Sequence, residues 1–387
     1  MPLQHKLAAL PPLSLYIHIP WCVKKCPYCD FNSHTAREAI PEQIYIDALC
    51  RDLESALPLI WGRNIHSIFF GGGTPSLFSA SGIDRILATV RSLIKLDFFA
   101  EVTLEANPGT FEIEKFKEFK SAGITRLSVG IQSFNPEHLA KLGRIHDDKE
   151  AHRAIEIAAD SFDNYNLDLM YALPDQTMAQ AQQDIAAALN YAPTHLSCYH
   201  LTLEPNTPFH NQPPNLPDDD LSADMQIMIE DRLIQTGYQH YETSAFAQPQ
   251  HKAKHNLNYW QFGDYLGIGA GAHSKLSFHD RIIRQARYKH PREYMENALA
   301  GHPVQFENLV NRQDLAFEFM MNALRLTEGF DISLFNERTG LPITTIQSNL
   351  DQAESQGLIK RDHIRICPTE KGQRFLNDLL ALFLPTK

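Results

Sequence analysis

Two hydrophobic periodicities alternate along the first 210 residues. Short runs of apolar or β-branched residues are separated by longer stretches with a helical period, which predicts strands and amphipathic helices in turn. The predicted strands are Leu15–Ile19, Ser67–Phe70, Val102–Glu105, Arg126–Gly130, Asn166–Met170 and His195–Leu201. The predicted helices are Gln43–Ala56, Ser81–Ile94, Ile113–Ser121, Lys149–Ala159 and Met178–Asn190.

This alternation predicts an α/β fold with a parallel sheet. A doubly wound sheet and an incomplete (β/α)₆ barrel both satisfy the pattern, and periodicity does not separate them. In a parallel barrel the chemistry lies at the carboxyl ends of the strands. The segments after the strands are polar, Gly-rich or Cys-rich, as in Trp21–Cys29 and Gly71–Pro75, so we expect them to converge on one rim.

The pattern changes beyond residue 210 and predicts three regions. Residues 1–210 form the partial barrel, 211–310 a connecting segment packed on it, and 311–387 a helical, winged-helix-like domain. A stretch rich in Pro, Asn and Asp marks the first boundary, and Asp218–Asp220 are placed to cap the helix Ser222–Gln235.

A helix over Leu341–Glu354 followed by a short hairpin has the element order of a winged helix. Nucleic-acid binding there would be a regulator's function, and Lys360, Arg361 and Arg365 are candidate phosphate contacts. The helix itself carries acidic residues and neither Lys nor Arg, although phosphate contact normally needs several cations. We therefore expect a structural cap and no nucleic-acid partner.

Composition is that of an ordinary globular protein. Of the 387 residues 43% are hydrophobic, the net charge is −11, and six cysteines are too few for a disulfide scaffold. An acidic chain does not favour a generally basic nucleic-acid surface. No apolar run reaches the length of a membrane span and no secretory signal is evident, so we expect a cytoplasmic protein. Clustered cysteines there suggest a metal or catalysis.

Three of the cysteines lie together just after the first predicted strand. Cys22, Cys26 and Cys29 have the spacing C-x₃-C-x₂-C. A [4Fe–4S] cluster normally takes four Cys ligands, so three local thiolates leave one iron open to an exchangeable ligand. The alternatives are zinc, for which His34 is a nearby fourth ligand without the usual second pair, and a purely structural role.

The sequence YIHIPWCVKKCPYCDF resembles the radical S-adenosylmethionine (SAM) superfamily, in the branch that contains oxygen-independent coproporphyrinogen III oxidase. The resemblance extends over nearly the whole chain. It implies that the amino and carboxylate groups of SAM bind the fourth iron, and that an electron donor drives reductive cleavage of SAM. Those oxidases usually carry a fourth Cys two residues after the third, where this chain has Phe31.

Further residues match SAM contacts of that branch. Glycines after the second strand let a ligand approach the backbone closely, and a strand-end carboxylate accepts hydrogen bonds from ribose hydroxyls. A carboxylate in an apolar strand, as at Asp168, requires a partner. The resemblance implies SAM contacts at Tyr16, Tyr28, Gly72, Gly73, Thr74, Glu105, Gln132, Arg144 and Asp168.

One motif points to haem. His255–Trp260 reads H-N-x-x-Y-W and resembles the signature of haem-binding relatives of the oxidase, thought to act as haem chaperones. Imidazole is a common haem ligand, and Tyr259 and Trp260 offer flat apolar surfaces. Core aromatics around a hydrogen-bonded His255 are the alternative.

The resemblance implies haem binding through His255 and delivery to an acceptor protein, which can be membrane-associated although this chain has no membrane segment. The oxidase activity is the alternative function.

Overall fold

We determined the fold from a computed structural model that describes residues 7–109 and 115–385. Its strands, numbered along the chain, are β1 Leu13–Ile19, β2 Trp21–Cys22, β3 His34–Thr35, β4 Ile65–Gly72, β5 Leu96–Ala106, β6 Arg126–Gln132, β7 Tyr165–Tyr171, β8 His195–His200, β9 Gln239–Glu242, β10 Ala245–Ala247, β11 Asp264–Ile268, β12 His273–Ser277, β13 Ile282–Arg287, β14 Val304–Leu309, β15 Phe330–Asp331, β16 Ile359–Arg361 and β17 Arg365–Pro368.

Twelve strands form one mixed sheet in the order β14-β13-β12-β11-β1-β4-β5-β6-β7-β8-β10-β9. The run from β11 to β8 is parallel, and the strands beyond it on either side are antiparallel. All six predicted strands are confirmed within this parallel run. The pattern of residues 237–300 did not predict β11, which pairs in parallel with β1.

The α-helices are Glu42–Ala56, Ala80–Leu93, Phe116–Ala122, Pro136–Lys141, Asp148–Ser161, Met178–Leu189, Pro208–Asn211, Asp219–Gln235, Lys254–Trp260, Pro291–Leu299, Arg312–Ala323, Ile332–Thr339, Gln347–Ser355, Glu370–Arg374 and Leu376–Ala381. Single 3₁₀ turns cover Leu57–Leu59, Pro75–Leu77 and Ile343–Ile346.

The predicted helices agree with these bounds to within a few residues, because the caps are encoded locally. The Asp147 and Glu150 side chains form a capping box at the start of one helix, and Asp218 Oδ1 accepts the Leu221 N–H at 2.8 Å at another. The predicted helix Ile113–Ser121 begins outside the described residues, and its described part is Phe116–Ala122.

Successive side chains of the parallel strands point to opposite faces of the sheet, one in the hydrophobic core and the other in a polar cavity. On β1, the side chains of Leu13, Leu15 and Ile17 enter the main hydrophobic core. Tyr16, on the opposite face, lines an internal cavity together with Arg126 of β6 and polar residues of other strands. The inner face of the sheet is therefore polar, which places it to bind ligands instead of forming a second apolar core.

Residues 211–310 contribute strands to both ends of the sheet, and the helix Lys254–Trp260 packs against β1, β4 and β11. The last region contains the three-stranded sheet β15-β17-β16 and most of a second hydrophobic core around Phe319 and Phe335, to which Phe262 and Ile282 of the connecting segment also belong. This agrees with the predicted winged-helix-like domain. The boundaries at 210 and 310 stay predictions.

The predicted helix Leu341–Glu354 is a 3₁₀ turn followed by an α-helix. Arg361 on the hairpin pairs with Asp351 and Glu354, and Arg365 pairs with Asp331. Both candidate arginines are thus engaged by carboxylates of the same domain. Over the described ranges, no helix combines the length and apolarity that a membrane crossing requires.

Candidate functional site

The three predicted cluster ligands and all predicted SAM contacts except Tyr16 meet in one cavity of about 350 Å³, here called the cluster cavity. It lies at the carboxyl ends of the parallel strands, under the cysteine loop. Eleven of the thirteen predicted site residues line it, namely Cys22, Cys26, Tyr28, Cys29, Gly72, Gly73, Thr74, Glu105, Gln132, Arg144 and Asp168. The expected convergence on one rim is therefore observed.

A small two-stranded sheet holds the cysteine loop at both ends. In it β2, which ends at Cys22, pairs in parallel with β3, and the Cys29 N–H donates to the Cys26 carbonyl at 3.2 Å. All three are free thiols, not joined in disulfides, and each is partly buried. Burial raises the pKa of Cys22 and of Cys29. Over residues 7–109 and 115–385, no three His, Cys, Asp or Glu side chains form a compact set for a single metal ion.

The glycine segment presses against the loop. Gly72 has φ +111°, and a Cβ there would clash with the His18 ring, while a Cβ on Gly73 would clash with the Trp21 backbone. Only glycine fits both positions. The N–H groups of Gly73 and Thr74 donate to backbone carbonyls at 2.7 Å, so these groups fix the rim and do not point at a ligand.

Two carboxyl groups face the cluster cavity from β5 and β7, which flank β6 in the sheet. The Gly72 N–H donates to Glu105 Oε2 at 3.3 Å. Burial, and then the nearby Asp168, raise the pKa of Glu105 to about 8. Burial also raises the pKa of Asp168, whose carboxylate accepts hydrogen bonds from Asn166 at 2.8 Å and Ser128 at 3.1 Å. Asp168 thus has the partners that its burial requires.

Arg144 connects the loop to the sheet. Its Nη2 donates to Asn107 Oδ1 and to the Gly130 carbonyl, both at 2.7 Å, and its Nη1 lies 3.8 Å from Cys26 Sγ. Its Nε is buried with no partner among the residues described. Gln132 ends β6 with φ +69°, a left-handed conformation that is uncommon for residues other than glycine.

The other two predicted residues lie in a second cavity of about 190 Å³, here called the deep cavity. The Tyr16 hydroxyl is 2.9 Å from His18 Nδ1. His255 is 7% exposed, and its Nδ1 is 3.1 Å from Glu101 Oε1. Burial lowers the pKa of His255 despite this bond, so the ring is neutral near pH 7 and donates its Nδ1–H to the carboxylate.

A third and larger space, here called the open cleft, has a volume of about 1040 Å³. The cluster loop borders it on one side, and β11, β12 and the helix Lys254–Trp260 on the other. Glu105 lines all three spaces, so they adjoin one another. The cleft is lined by aromatic and basic side chains, among them Phe31, Tyr259, Trp260, Tyr265, His273 and Lys289.

The cleft has one well-defined aromatic wall. The Arg325 guanidinium stacks over the Trp260 ring at 4.4 Å from its centroid, and Tyr259 packs edge-on against Tyr265 at 4.9 Å. Asn32 bridges the cleft floor, since its Nδ2 donates to the carbonyls of Ala270 at 2.9 Å and Lys289 at 2.8 Å. The H-N-x-x-Y-W motif therefore divides its residues between two spaces.

The sequence did not single out several residues that complete these spaces: Asn107, Arg126, Ser128, Tyr199 and His273. Arg126 and Ser128 were detectable as polar residues at alternate positions of a strand. His273 carried no signal, because only the packing of β12 beside β11 brings it to the cleft.

Family comparisons agree with this geometry. Residues 16–188 match the model of the radical SAM superfamily, and residues 310–375 match that of the HemN C-terminal domain. The chain is 49% identical over 381 residues to the heme chaperone HemW of Haemophilus influenzae, covering 97% of this chain and 98% of that protein. It is 47% identical to the heme chaperone HemW of Escherichia coli, covering 98% and 100%.

Among solved structures, the chain resembles the coproporphyrinogen III oxidase of Escherichia coli, a radical SAM enzyme, with a TM-score of 0.82. The superposition covers 97% of this chain and 90% of that one, and 24% of the aligned residues are identical. The resemblance therefore concerns the fold. Together with the sequence identities, it shows that the chain belongs to the radical SAM superfamily, in the family of the proteins named heme chaperone HemW.

Proposed function

We propose that the chain binds haem and delivers it to an acceptor protein, with a [4Fe–4S] cluster and SAM as cofactors. The observation that carries the proposal is the adjacency of two spaces. The cluster cavity is lined by three free thiols, and beside it lies an aromatic cleft of about 1040 Å³. Ligand pockets for drug-sized molecules span roughly 300–1,000 Å³, so the cleft has room for a larger, flat macrocycle.

The donor set of the cluster cavity fits an iron–sulfur cluster with one open iron. Cys22, Cys26 and Cys29 would each supply one thiolate, and the cluster cavity that they line has room for a ligand on the open iron. Bound there, the cluster and SAM supply reductive cleavage of the sulfonium. The electron comes from a separate donor protein.

Residues of this chain would orient SAM within the cluster cavity. Glu105 and Asp168 are placed to accept hydrogen bonds from ribose hydroxyls, and the guanidinium of Arg144, which lines the same cavity, is placed to pair with a carboxylate. Gln132, Thr74 and Tyr28 line the remaining wall. We propose these contacts because all of these residues line the cluster cavity.

Haem would lie in the open cleft against Tyr259 and Trp260. Among the described residues, three imidazoles line the cleft, those of His18, His34 and His273. Both ring nitrogens of His18 are engaged, by the Tyr16 hydroxyl and the Asn32 carbonyl, and His34 Nε2 is buried. His273 is exposed, so we propose it as the iron ligand of the cleft. His255, predicted from the sequence, stays the alternative ligand.

Phe31 distinguishes this proposal from the oxidase. It is 59% exposed and lines both the cluster cavity and the open cleft. An apolar ring where the oxidases usually carry a fourth Cys is suited to contact a macrocycle at the mouth of the cleft.

One anaerobic preparation, reconstituted with iron and sulfide, tests both functions. We expect haem titration to produce a Soret band, and the haem-loaded protein to pass haem to apoprotein acceptors from a membrane or cytoplasmic extract. Incubation with coproporphyrinogen III, SAM and a reductant is expected to yield no protoporphyrinogen IX. Robust turnover without haem uptake would refute the chaperone function.

A further inference from the structure

The Arg126 guanidinium is a buried positive charge that contacts no counter-ion within the part of the chain that the structure describes. Arg126 begins β6, is 2% exposed, and lines the deep cavity. Throughout residues 7–109 and 115–385, no side chain or backbone group accepts a hydrogen bond from it, and its Nε is buried with no partner. A buried charge is normally retained only where something pairs with it.

Other buried cations of the chain follow that rule. Arg287, 1% exposed, donates to Asp52 with 3.0 Å between Nη2 and Oδ1. Lys275, also 1% exposed, lies 3.0 Å from Asp264 Oδ1. Each of these cations has a carboxylate supplied by the chain, which makes Arg126 the exception among the three.

The carboxylates near Arg126 are engaged elsewhere. Glu101 accepts from His255 Nδ1 and from the Lys254 N–H, both at 3.1 Å. Asp168 accepts from Asn166 and Ser128. Both groups act on Arg126 through space and neither contacts it. The guanidinium therefore keeps its donors free for a partner that enters the cavity.

The deep cavity that Arg126 lines adjoins the open cleft. Tyr16, Phe69, Glu105 and Tyr259 line both the deep cavity and the open cleft. The deep cavity, at about 190 Å³, is too small for a macrocycle but has room for a carboxyl group on a short chain. A ligand seated in the cleft can thus extend a flexible acidic arm inward.

We propose that Arg126 is an anion-binding residue that takes a ligand carboxylate into the deep cavity. Guanidinium and carboxylate match as a two-bond fork, and low exposure strengthens that contact. Two sources share this chemistry: a propionate of haem in the open cleft, or a free small carboxylic acid. The first source rests on the proposed function, and the second does not.

The test uses the full chain, reconstituted anaerobically, with two probe pairs. Haem and haem dimethyl ester, in which both propionates are blocked, are titrated by Soret absorption. Sodium propionate is compared with sodium chloride at equal ionic strength by thermal unfolding. The variants are Arg126→Gln, which removes the charge, Arg126→Lys, which keeps it, and Arg51→Gln, an exposed arginine of the helix Glu42–Ala56, as the control.

If a haem propionate is the partner, the unmodified protein binds haem about 10-fold or more tightly than the ester, and Arg126→Gln removes that preference. Arg126→Lys retains part of it and Arg51→Gln all of it. If a free acid is the partner, haem and ester bind alike, while propionate raises the unfolding temperature of the unmodified protein and not of Arg126→Gln.

An equal response of Arg126→Gln and the unmodified protein to both probe pairs would overturn the assignment. Failure of the unmodified protein to take up haem refutes the proposed function instead, and the propionate comparison then decides Arg126 alone. Far-ultraviolet circular dichroism shows whether Arg126→Gln folds. If it does not, Arg126→Lys takes its place in the comparison, and this variant must then keep part of the preference for haem over the ester.

Discussion

His255 Nδ1 lies 3.1 Å from Glu101 Oε1, so the histidine predicted to bind haem is held by a buried carboxylate inside the sheet. Its neighbour Tyr259 lines both the deep cavity and the open cleft, and Trp260 lines the open cleft. A carboxylate that accepts the other ring N–H is a common support for a metal-binding histidine, but the deep cavity that His255 lines is smaller than a porphyrin.

The first prediction separates His273 from His255 as the haem ligand. Removing an axial imidazole changes the ligand field of the iron, so His273→Ala is expected to shift the Soret band and weaken haem binding. His255→Ala is expected to leave the band in place and lower affinity by a smaller factor, because it removes support beneath Tyr259. Haem titrations with His363→Ala as an exposed control decide this. A shifted band in His255→Ala alone would restore the ligand predicted from the sequence.

The second prediction concerns the three thiols. Single Cys→Ala changes at Cys22, Cys26 or Cys29 are expected to remove most of the cluster, since each supplies one iron ligand. Cys198 is 5% exposed on β8 and belongs to the hydrophobic core, so Cys198→Ala is the matched control. Iron, sulfide and visible absorption measure the outcome after anaerobic reconstitution. An obligatory contribution from Cys50, Cys198 or Cys367 would contradict an open iron.

Much of this architecture could be predicted because it is encoded locally. The parallel strands show as short apolar runs, and caps such as Asp147 and Asp218 mark helix starts. Rim residues followed from the rule that strand ends converge. The open cleft was not predictable, because Asn32 bridges carbonyls at Ala270 and Lys289, more than 230 residues away in the chain. The sequence contains no periodic signal for such contacts.

Arg126 illustrates a different limit. Its position in the predicted strand Arg126–Gly130 was correct, but a cation at a strand terminus normally indicates solvent exposure. Only the assembled sheet shows that the inner face is polar and closed by the helix Lys254–Trp260. The same packing buries His195, whose ring nitrogens bond Asn166 at 2.6 Å and Tyr241 at 2.8 Å.

The third prediction concerns SAM affinity. Glu105→Ala and Asp168→Ala each remove acceptors for ribose hydroxyls, at an expected cost of roughly 1–3 kcal/mol, or about 5- to 150-fold in affinity. Arg144→Ala is expected to weaken carboxylate capture to a similar extent. Calorimetric titration of SAM into the reconstituted protein measures all three, with Glu137→Ala at an exposed helix start as the control. Unchanged affinity in all three site variants would reject the proposed contacts.

The last prediction follows from the pKa of Glu105. Burial and the nearby Asp168 raise that pKa from 4.5 to about 8, so between these values the folded protein holds a proton that the unfolded chain has released. The free energy of unfolding therefore falls as the pH rises from about 4.5 to 8, and this contribution levels off above 8.

Glu105→Gln replaces the protonated carboxyl by a neutral amide of the same shape. Its free energy of unfolding is expected to fall less steeply with pH than that of the unmodified protein, with a residual slope from Asp168, whose pKa burial also raises. Urea unfolding of the cofactor-free protein at pH 6, 7 and 8 measures both slopes. Equal slopes would mean that Glu105 ionises normally, and that its carboxylate is already charged when SAM arrives. A shallower slope in Glu105→Gln than in the unmodified protein would mean that Glu105 is protonated at neutral pH when SAM binds. The protonated carboxyl group can donate a hydrogen bond to the ribose as well as accept one.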